Sequence, residues 1–246
     1  MSKLRQRLRD TARRRRAAIG FLPTADAGAS SHVLVVAEVS DAAAATAATE
    51  AGAGALVFSD PALAKPISEA AGETPGGCRI EDATPDQAEA LAEAGADFLI
   101  FDDARTAAAT LRERRLGRVL MLDAGADEER LRSLASLDLD ALLLTDVAET
   151  LTVRDQLALR RIVELTHKPL MAQISGEVST ATLEVWRDSG MPAVLVAATP
   201  DGLLAKVVAA AAEVGPPPEP PSEERVDPLL PVMPGASADD DDDDLD

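Results

Sequence analysis

Along most of the chain, short apolar runs alternate with longer segments in which Ala and Leu recur at helical spacing. The runs are His32–Val39, Ala55–Ser59, Cys78–Asp82, Asp97–Asp102, Arg118–Asp123, Asp140–Asp146, Pro169–Ile174 and Pro192–Ala197. They are apolar throughout rather than alternating, which is how strands read when a parallel sheet is covered on both faces. Between them the pattern predicts helices over about 41–52, 61–72, 85–95, 103–116, 126–136, 151–166 and 179–190, and a last one over about 200–214. Asp60-Pro61 and Thr84-Pro85 read as a cap followed by a first-turn proline, and Thr199-Pro200 repeats the pattern. Gly52, Gly95, Gly117 and Gly190 stand where helices should stop.

Strict strand–helix alternation gives an α/β architecture. Eight units in roughly 180 residues give the count of a compact (β/α)8 barrel. The weakest strand is Cys78–Asp82, and Ile19–Leu22 is the alternative eighth. An open doubly wound sheet is the competing architecture, but no G-x-G-x-x-G follows the first run. Within the alternation, Glu50-Ala51-Gly52-Ala53-Gly54-Ala55-Leu56-Val57-Phe58 and Glu93-Ala94-Gly95-Ala96-Asp97-Phe98-Leu99-Ile100-Phe101 are near copies. Ser189-Gly190-Met191-Pro192-Ala193-Val194-Leu195-Val196 is a looser third. This cadence resembles the phosphate-binding group of (β/α)8 TIM barrels over about residues 32–214. The resemblance implies a fold, and a site at the C-terminal ends of the strands, without implying a reaction.

Both ends of the chain differ from the middle. Residues 1–31 read as a basic helix over 3–18 followed by a linker; Leu4 and Leu8 form a one-turn apolar stripe, and Arg13 to Arg16 are a continuous basic run. Residues 215–246 are rich in Pro and end in a run of six Asp, which predicts a disordered tail. Within the tail, Val226-Asp227-Pro228-Leu229-Leu230-Pro231-Val232-Met233-Pro234 is an apolar island, read as a strap on the barrel or as a linear motif for a partner. The basic helix is expected to cap the N-terminal face of the barrel, with Ile19–Pro23 plugging it, or to pair with an acidic surface, for which the oppositely charged tail is one candidate.

Composition narrows the function classes. The net charge is −19, and an acidic body of that size repels nucleic acid and anionic membrane. Aromatics make up 2% of the chain, so there are few anchors for a flavin ring, and no nicotinamide fingerprint is present. Cys78 is the only cysteine, which excludes an internal disulfide framework and fits a reducing cytoplasm. No apolar run is long enough to span a bilayer.

Candidate chemistry gathers at the predicted C-terminal ends of the strands. Acids close six of the eight runs: Glu38, Asp60, Glu81 with Asp82, Asp102 with Asp103, Asp123 and Asp146. So many acids around one mouth invite a hard divalent ion, and Asp102, Asp123 and Asp146 are the expected ligands of Mg²⁺. The competing reading is that each is a helix cap. No Lys sits at a strand's C-terminal end, which disfavours a Schiff-base aldolase; Lys168, His167 and His32 fall at the opposite face. The acid–base group is then a carboxylate, Glu38. Arg79 is the one cation expected to pair with these acids or to hold an anionic substrate, provided it points inward. Gln173 stands at the end of the seventh run as a candidate substrate contact, and the loop after it, Ser175-Gly176-Glu177-Val178-Ser179-Thr180, resembles a phosphate-gripping loop. Glu177 and Pro200 depart from that pattern.

Two functional readings follow. One is a metal-assisted lyase or isomerase acting on a small anionic or phosphorylated metabolite. The other is a non-catalytic barrel that binds a protein partner or oligomerises through its charged ends.

Overall fold

The computed structural model describes residues 2–13, 31–148, 150–198 and 202–217. Its centre is a closed barrel of eight parallel strands in sequential order: β1 (Leu34–Glu38), β2 (Ala55–Phe58), β3 (Gly76–Arg79), β4 (Phe98–Phe101), β5 (Gly117–Leu122), β6 (Ala141–Leu144), β7 (Leu170–Ile174) and β8 (Ala193–Ala197). β1 closes against β8 with Leu34 opposite Ala193 and Glu38 opposite Ala197. The predicted third strand exists but starts earlier than expected, at Gly76, so no substitute from Ile19–Leu22 is required; those residues lie outside the described ones.

Seven helices follow the predicted pattern: α1 (Lys3–Arg13), α2 (Ala42–Glu50), α3 (Ala64–Ala71), α4 (Pro85–Glu93), α5 (Glu128–Ala135), α6 (Val153–Thr166) and α7 (Thr180–Asp188). An eighth, α8 (Leu203–Ala212), closes the described chain. Their caps are local. Asp41, Thr84, Asp127, Thr152 and Ser179 each accept a backbone N–H from the first turn that they precede. Asp60 caps a short 3-10 turn, Pro61–Leu63, that leads into α3. The Thr199-Pro200 pair lies outside the described residues.

The helix expected over 103–116 is absent; a 3-10 turn at Ala108–Arg112 replaces it. The segment spends its hydrogen bonds on the preceding loop. The Thr106 and Thr110 hydroxyls donate to the Glu81 and Ala83 carbonyls at 2.9 Å, and the Ala107 N–H also reaches the Ala83 carbonyl. The Ala107 N–H is therefore not available for an α-helical ladder, and the two hydroxyls tie the segment to the loop between β3 and α4.

Two apolar layers form the core. The outer one lies between strands and helices; the inner one fills the barrel with Val36, Val57, Phe98, Ile100, Val119, Leu143, Met171 and Leu195. Leu4 and Leu8 of α1 belong to the inner layer and are fully buried, so α1 is itself the plug of the N-terminal face. At about 1.5–3 kcal/mol per buried Leu, this stripe docks the helix. The role expected of Ile19–Pro23 belongs to α1; those five residues lie outside the described ones.

Polar contacts fix the angle of the plug. Asp97 accepts the Lys3 and Leu4 backbone N–H groups at 2.8 Å each, acting as a cap supplied from the end of another element. Buried Asp140 accepts from the Ser2 hydroxyl and from Arg5 Nε, while Arg5 Nη2 reaches Asp138 at 2.6 Å. Gly117, expected to end a helix, instead opens β5: a Cβ there would collide with Asp140 and Ser2. Gly52, Gly95 and Gly190 do end helices with positive φ, as expected. Among the described residues no helix is long and apolar enough to cross a membrane.

Candidate functional site

Successive strand residues point alternately into the barrel and out to the helices. On the odd-numbered strands Val36, Gly77, Val119 and Met171 are inward positions, and two residues further along come Glu38, Arg79, Met121 and Gln173. Such layers of four from alternate strands are how a barrel of this type fills its interior. The lower layers are apolar. This uppermost one carries a carboxylate, a guanidinium, a thioether and an amide.

Contacts across the barrel confirm the layer. Arg79 Nη2 donates to Gln173 Oε1 at 3.2 Å, although β3 and β7 are diametrically opposed. Arg79 Nη1 lies 3.6 Å from Glu38 Oε1 on β1. The guanidinium is held up at this level from beneath. A Cβ on Gly77 would collide with the Phe98 ring, which occupies the space below, and Ile100 and Val57 fill the even-strand positions around it. Arg79 is 84% buried by side chain; its Nε has no hydrogen-bond partner among the described residues. An arginine with an orphaned buried N–H, among only a carboxylate and an amide, retains capacity to bind an anion. Beside Glu38 a cavity of about 490 Å³ opens between the ends of β1, β2 and β8, bordered by Ser40, Ser59, Asp60, Ala197 and Ala198.

The structure thus brings Glu38, Arg79 and Gln173 together. It does not gather the expected metal ligands. Asp102 accepts the Ala104 N–H at 2.8 Å, and Asp123 accepts the N–H of Gly125, each closing its own loop. Asp146 borders a separate cavity with Ala148, Leu151 and Leu159 of the α6 region. Glu81 and Asp103 pair with Arg105 and Arg130. Among the described residues no group of three or more His, Cys, Asp or Glu is placed to share a cation, so Asp102, Asp123 and Asp146 do not fit a Mg²⁺ centre. The repulsion expected of a crowded acidic mouth is relieved by turns and ion pairs instead.

The loop after β7 is built as a turn. Ser175 is exposed, Gly176 half-buried, and Ser179 caps α7 by accepting the Thr182 N–H at 3.1 Å. Glu177, whose charge opposes phosphate, is paired with Lys206 in the first turn of α8. Ser175 and Gly176 follow Gln173 at the rim, next to the Arg79 layer but not in contact with it.

Cys78, the residue before Arg79, faces outward and is fully buried. Burial, and then the nearby Asp60 charge, push its thiol up to about 12, so it is no nucleophile in the folded protein. Three contributors escaped the sequence reading. Met121 completes the top layer, and its signal is its position two residues after inward Val119. Asp97 and Asp140 passed for strand starts, and only the docked helix shows them to be its anchors.

The sequence matches no protein-family model, and no curated protein matches it. Solved structures share the architecture. Tryptophan synthase from M. tuberculosis, in an open form, superposes with TM-score 0.62 at 15% identity over 86% of this chain and 99% of that one. A ligand-free form of that enzyme gives TM-score 0.63 at 14% identity over 88% and 99%. A structure described as a phosphonomutase, from Burkholderia cenocepacia J2315, gives 0.53 at 18% identity over 73% and 91%. At these identities the likeness establishes the fold alone: this chain has the (β/α)8 TIM-barrel fold.

Proposed function

We propose that the protein is a lyase or isomerase that binds a small anionic metabolite at the C-terminal mouth of the barrel, with Arg79 as the anion anchor and Glu38 as the acid–base group. The observation that carries this reading is the guanidinium held inside the barrel between Glu38 and Gln173, with an open cavity on the other side of Glu38. An arginine placed there adds little to packing that an apolar residue would not supply. It does offer a planar, permanently charged donor set suited to a carboxylate or phosphate.

Within the reading, Arg79 exchanges its 3.6 Å contact with Glu38 for the substrate anion. Glu38, released, moves a proton at the neighbouring carbon or oxygen. Gln173 orients the substrate through its amide, and Ser175 with Gly176 borders the anionic end. The neighbours of this fold that are enzymes by name, a synthase and a mutase, agree with the broad class. Phosphate and carboxylate substrates both suit the arginine. No step depends on Mg²⁺: Asp102 and Asp123 close their own loops, and Asp146 borders a separate cavity.

The test is thermal unfolding of the full chain against a panel of small phosphorylated and carboxylated metabolites. A ligand at about 100 times its Kd stabilises the native state by roughly 2.7 kcal/mol. For a domain of this size that raises the midpoint by about 5–10 °C. Arg79→Met should abolish the shift, whereas Glu38→Gln should keep binding and lose turnover. A panel with no hit, or a hit indifferent to Arg79→Met, favours the non-catalytic barrel.

A further inference from the structure

The N-terminal face holds a cavity of about 450 Å³ that the mouth does not use. Val163, Pro169, Pro192 and Pro217 wall it, and His32, His167 and Lys168 stand at it, with Glu164 the one bordering carboxylate among the described residues. The described chain leaves the barrel here. Arg187, 95% buried, donates to the Gly215 carbonyl and to Asp188, which pins the segment after α8 so that Pro217 borders the cavity. Thr11 of α1 borders it from the other side.

We infer that residues 226–246 of this chain dock on the N-terminal face, the apolar island Val226–Pro234 in this cavity and the run Asp239–Asp244 along α1. Three observations on the molecule argue for this occupant. The first is reach. Eight residues lie between Pro217 and Val226, a span of at most about 30 Å, so the island is delivered next to the opening at high effective concentration.

The second is chemistry. The island carries Val226, Leu229, Leu230, Val232 and Met233 among prolines, which suits an apolar cleft with prolines in its own walls. The third is charge. Arg7 and Lys168 are free of salt bridges among the described residues, and the chain continues from α1 into Arg14, Arg15 and Arg16. The acids on this face are largely taken: Glu73 by Lys3, Asp138 and Asp140 by Arg5, Asp97 by the start of α1. At the opposite face Glu38, Asp60, Asp102 and Asp123 repel a poly-Asp segment.

The four lysines report the outcome, because they divide between the two faces. Lys3 and Lys168 lie at the N-terminal face. Lys65 and Lys206 lie in the first turns of α3 and α8, towards the mouth, and Lys206 pairs there with Glu177. The experiment is zero-length carbodiimide cross-linking of an equal mixture of ¹⁵N-labelled and unlabelled full-length protein, followed by peptide mass analysis.

Docking predicts links from Asp239–Asp246 to Lys3 or Lys168 within single chains, suppressed by high salt. The double change Leu229→Asp with Leu230→Asp should lower their yield by about tenfold, through loss of the apolar anchor. Links chiefly to Lys65 or Lys206, or links joining labelled to unlabelled chains, would overturn the proposal, the latter in favour of a second copy. An unchanged yield in the double variant would also overturn it, because the island would then not be what holds the tail.

Discussion

At the level of single residues, Arg79 separates a functional role from a structural one. Its Nε is buried without a partner, and its two contacts are one hydrogen bond at 3.2 Å and one ion pair at 3.6 Å. A residue retained for stability would be better satisfied. Arg79→Met relieves an orphaned donor worth about 1–3 kcal/mol while leaving Glu38 able to reach solvent. The variant is therefore expected to unfold at the same temperature as the wild type or a few degrees higher, as denaturation scans would show. A loss of more than about 2 kcal/mol would mark the pair as a fold determinant. Cys78 gives the opposite case. Its thiol, raised to about 12 by burial, should stay unlabelled by thiol reagents at neutral pH and react only as fast as the protein opens. Rapid labelling of native protein would contradict its place behind the helices. In the sequence, Arg79 stood out because it lay within the third run as the one cation available to the acids if it pointed inward. Its direction was not legible: parity decides which way a strand side chain points, and the short run Cys78–Asp82 has too few apolar residues to show which parity faces the barrel interior.

Among the elements, α1 shows how charge patterning can conceal a packing role. Eight basic residues in the first sixteen read as a surface helix, yet Leu4 and Leu8 are buried in the inner core with the strand residues. Leu4→Ala should cost about 2–5 kcal/mol, on the order of 5–15 °C in the midpoint, measured by calorimetry on the full chain. A change under about 1 kcal/mol would show that α1 does not plug the barrel. The helix also has a pH signature. Hydrogen bonding from Arg5, with help from the Arg118 and Lys168 charges, holds the Asp138 carboxyl below its ordinary value. A lowered folded-state value contributes stability above the unfolded carboxylate range, and this is lost as pH falls through it. Between about pH 5 and pH 3, either side of the ordinary aspartate value, the wild-type midpoint should therefore fall more than that of Asp138→Asn. Equal falls would detach Asp138 from the docking of α1. The missing helix at 103–116 teaches the complementary lesson. Its Ala and Leu content is helical, but Thr106 and Thr110 bond back to the previous loop, a tertiary choice that periodicity does not carry.

For the whole molecule, the barrel was legible because each strand–helix unit repeats one rule eight times, and a single weak strand does not alter the count. The site was legible only in part. Barrel logic places any site at the strand ends, and Glu38, Arg79 and Gln173 share one layer there. The same logic cannot tell a ligand carboxylate from a turn-closing one, and Asp102 and Asp123 proved to be the latter. The proposed site at the mouth and the proposed docking at the base are thereby separated by the apolar interior of the barrel, with buried Arg79 at one end and basic α1 at the other. The measurement that addresses the mouth most directly is an NMR titration of ¹⁵N-labelled full-length protein, following the arginine Nε–Hε signals as inorganic phosphate and then succinate are added. The Arg79 signal is identified by its absence in Arg79→Met. A saturable shift of that signal with at least one anion is the result the account predicts. A stationary Arg79 signal, while those of arginines at the opposite face such as Arg187 move, would contradict it.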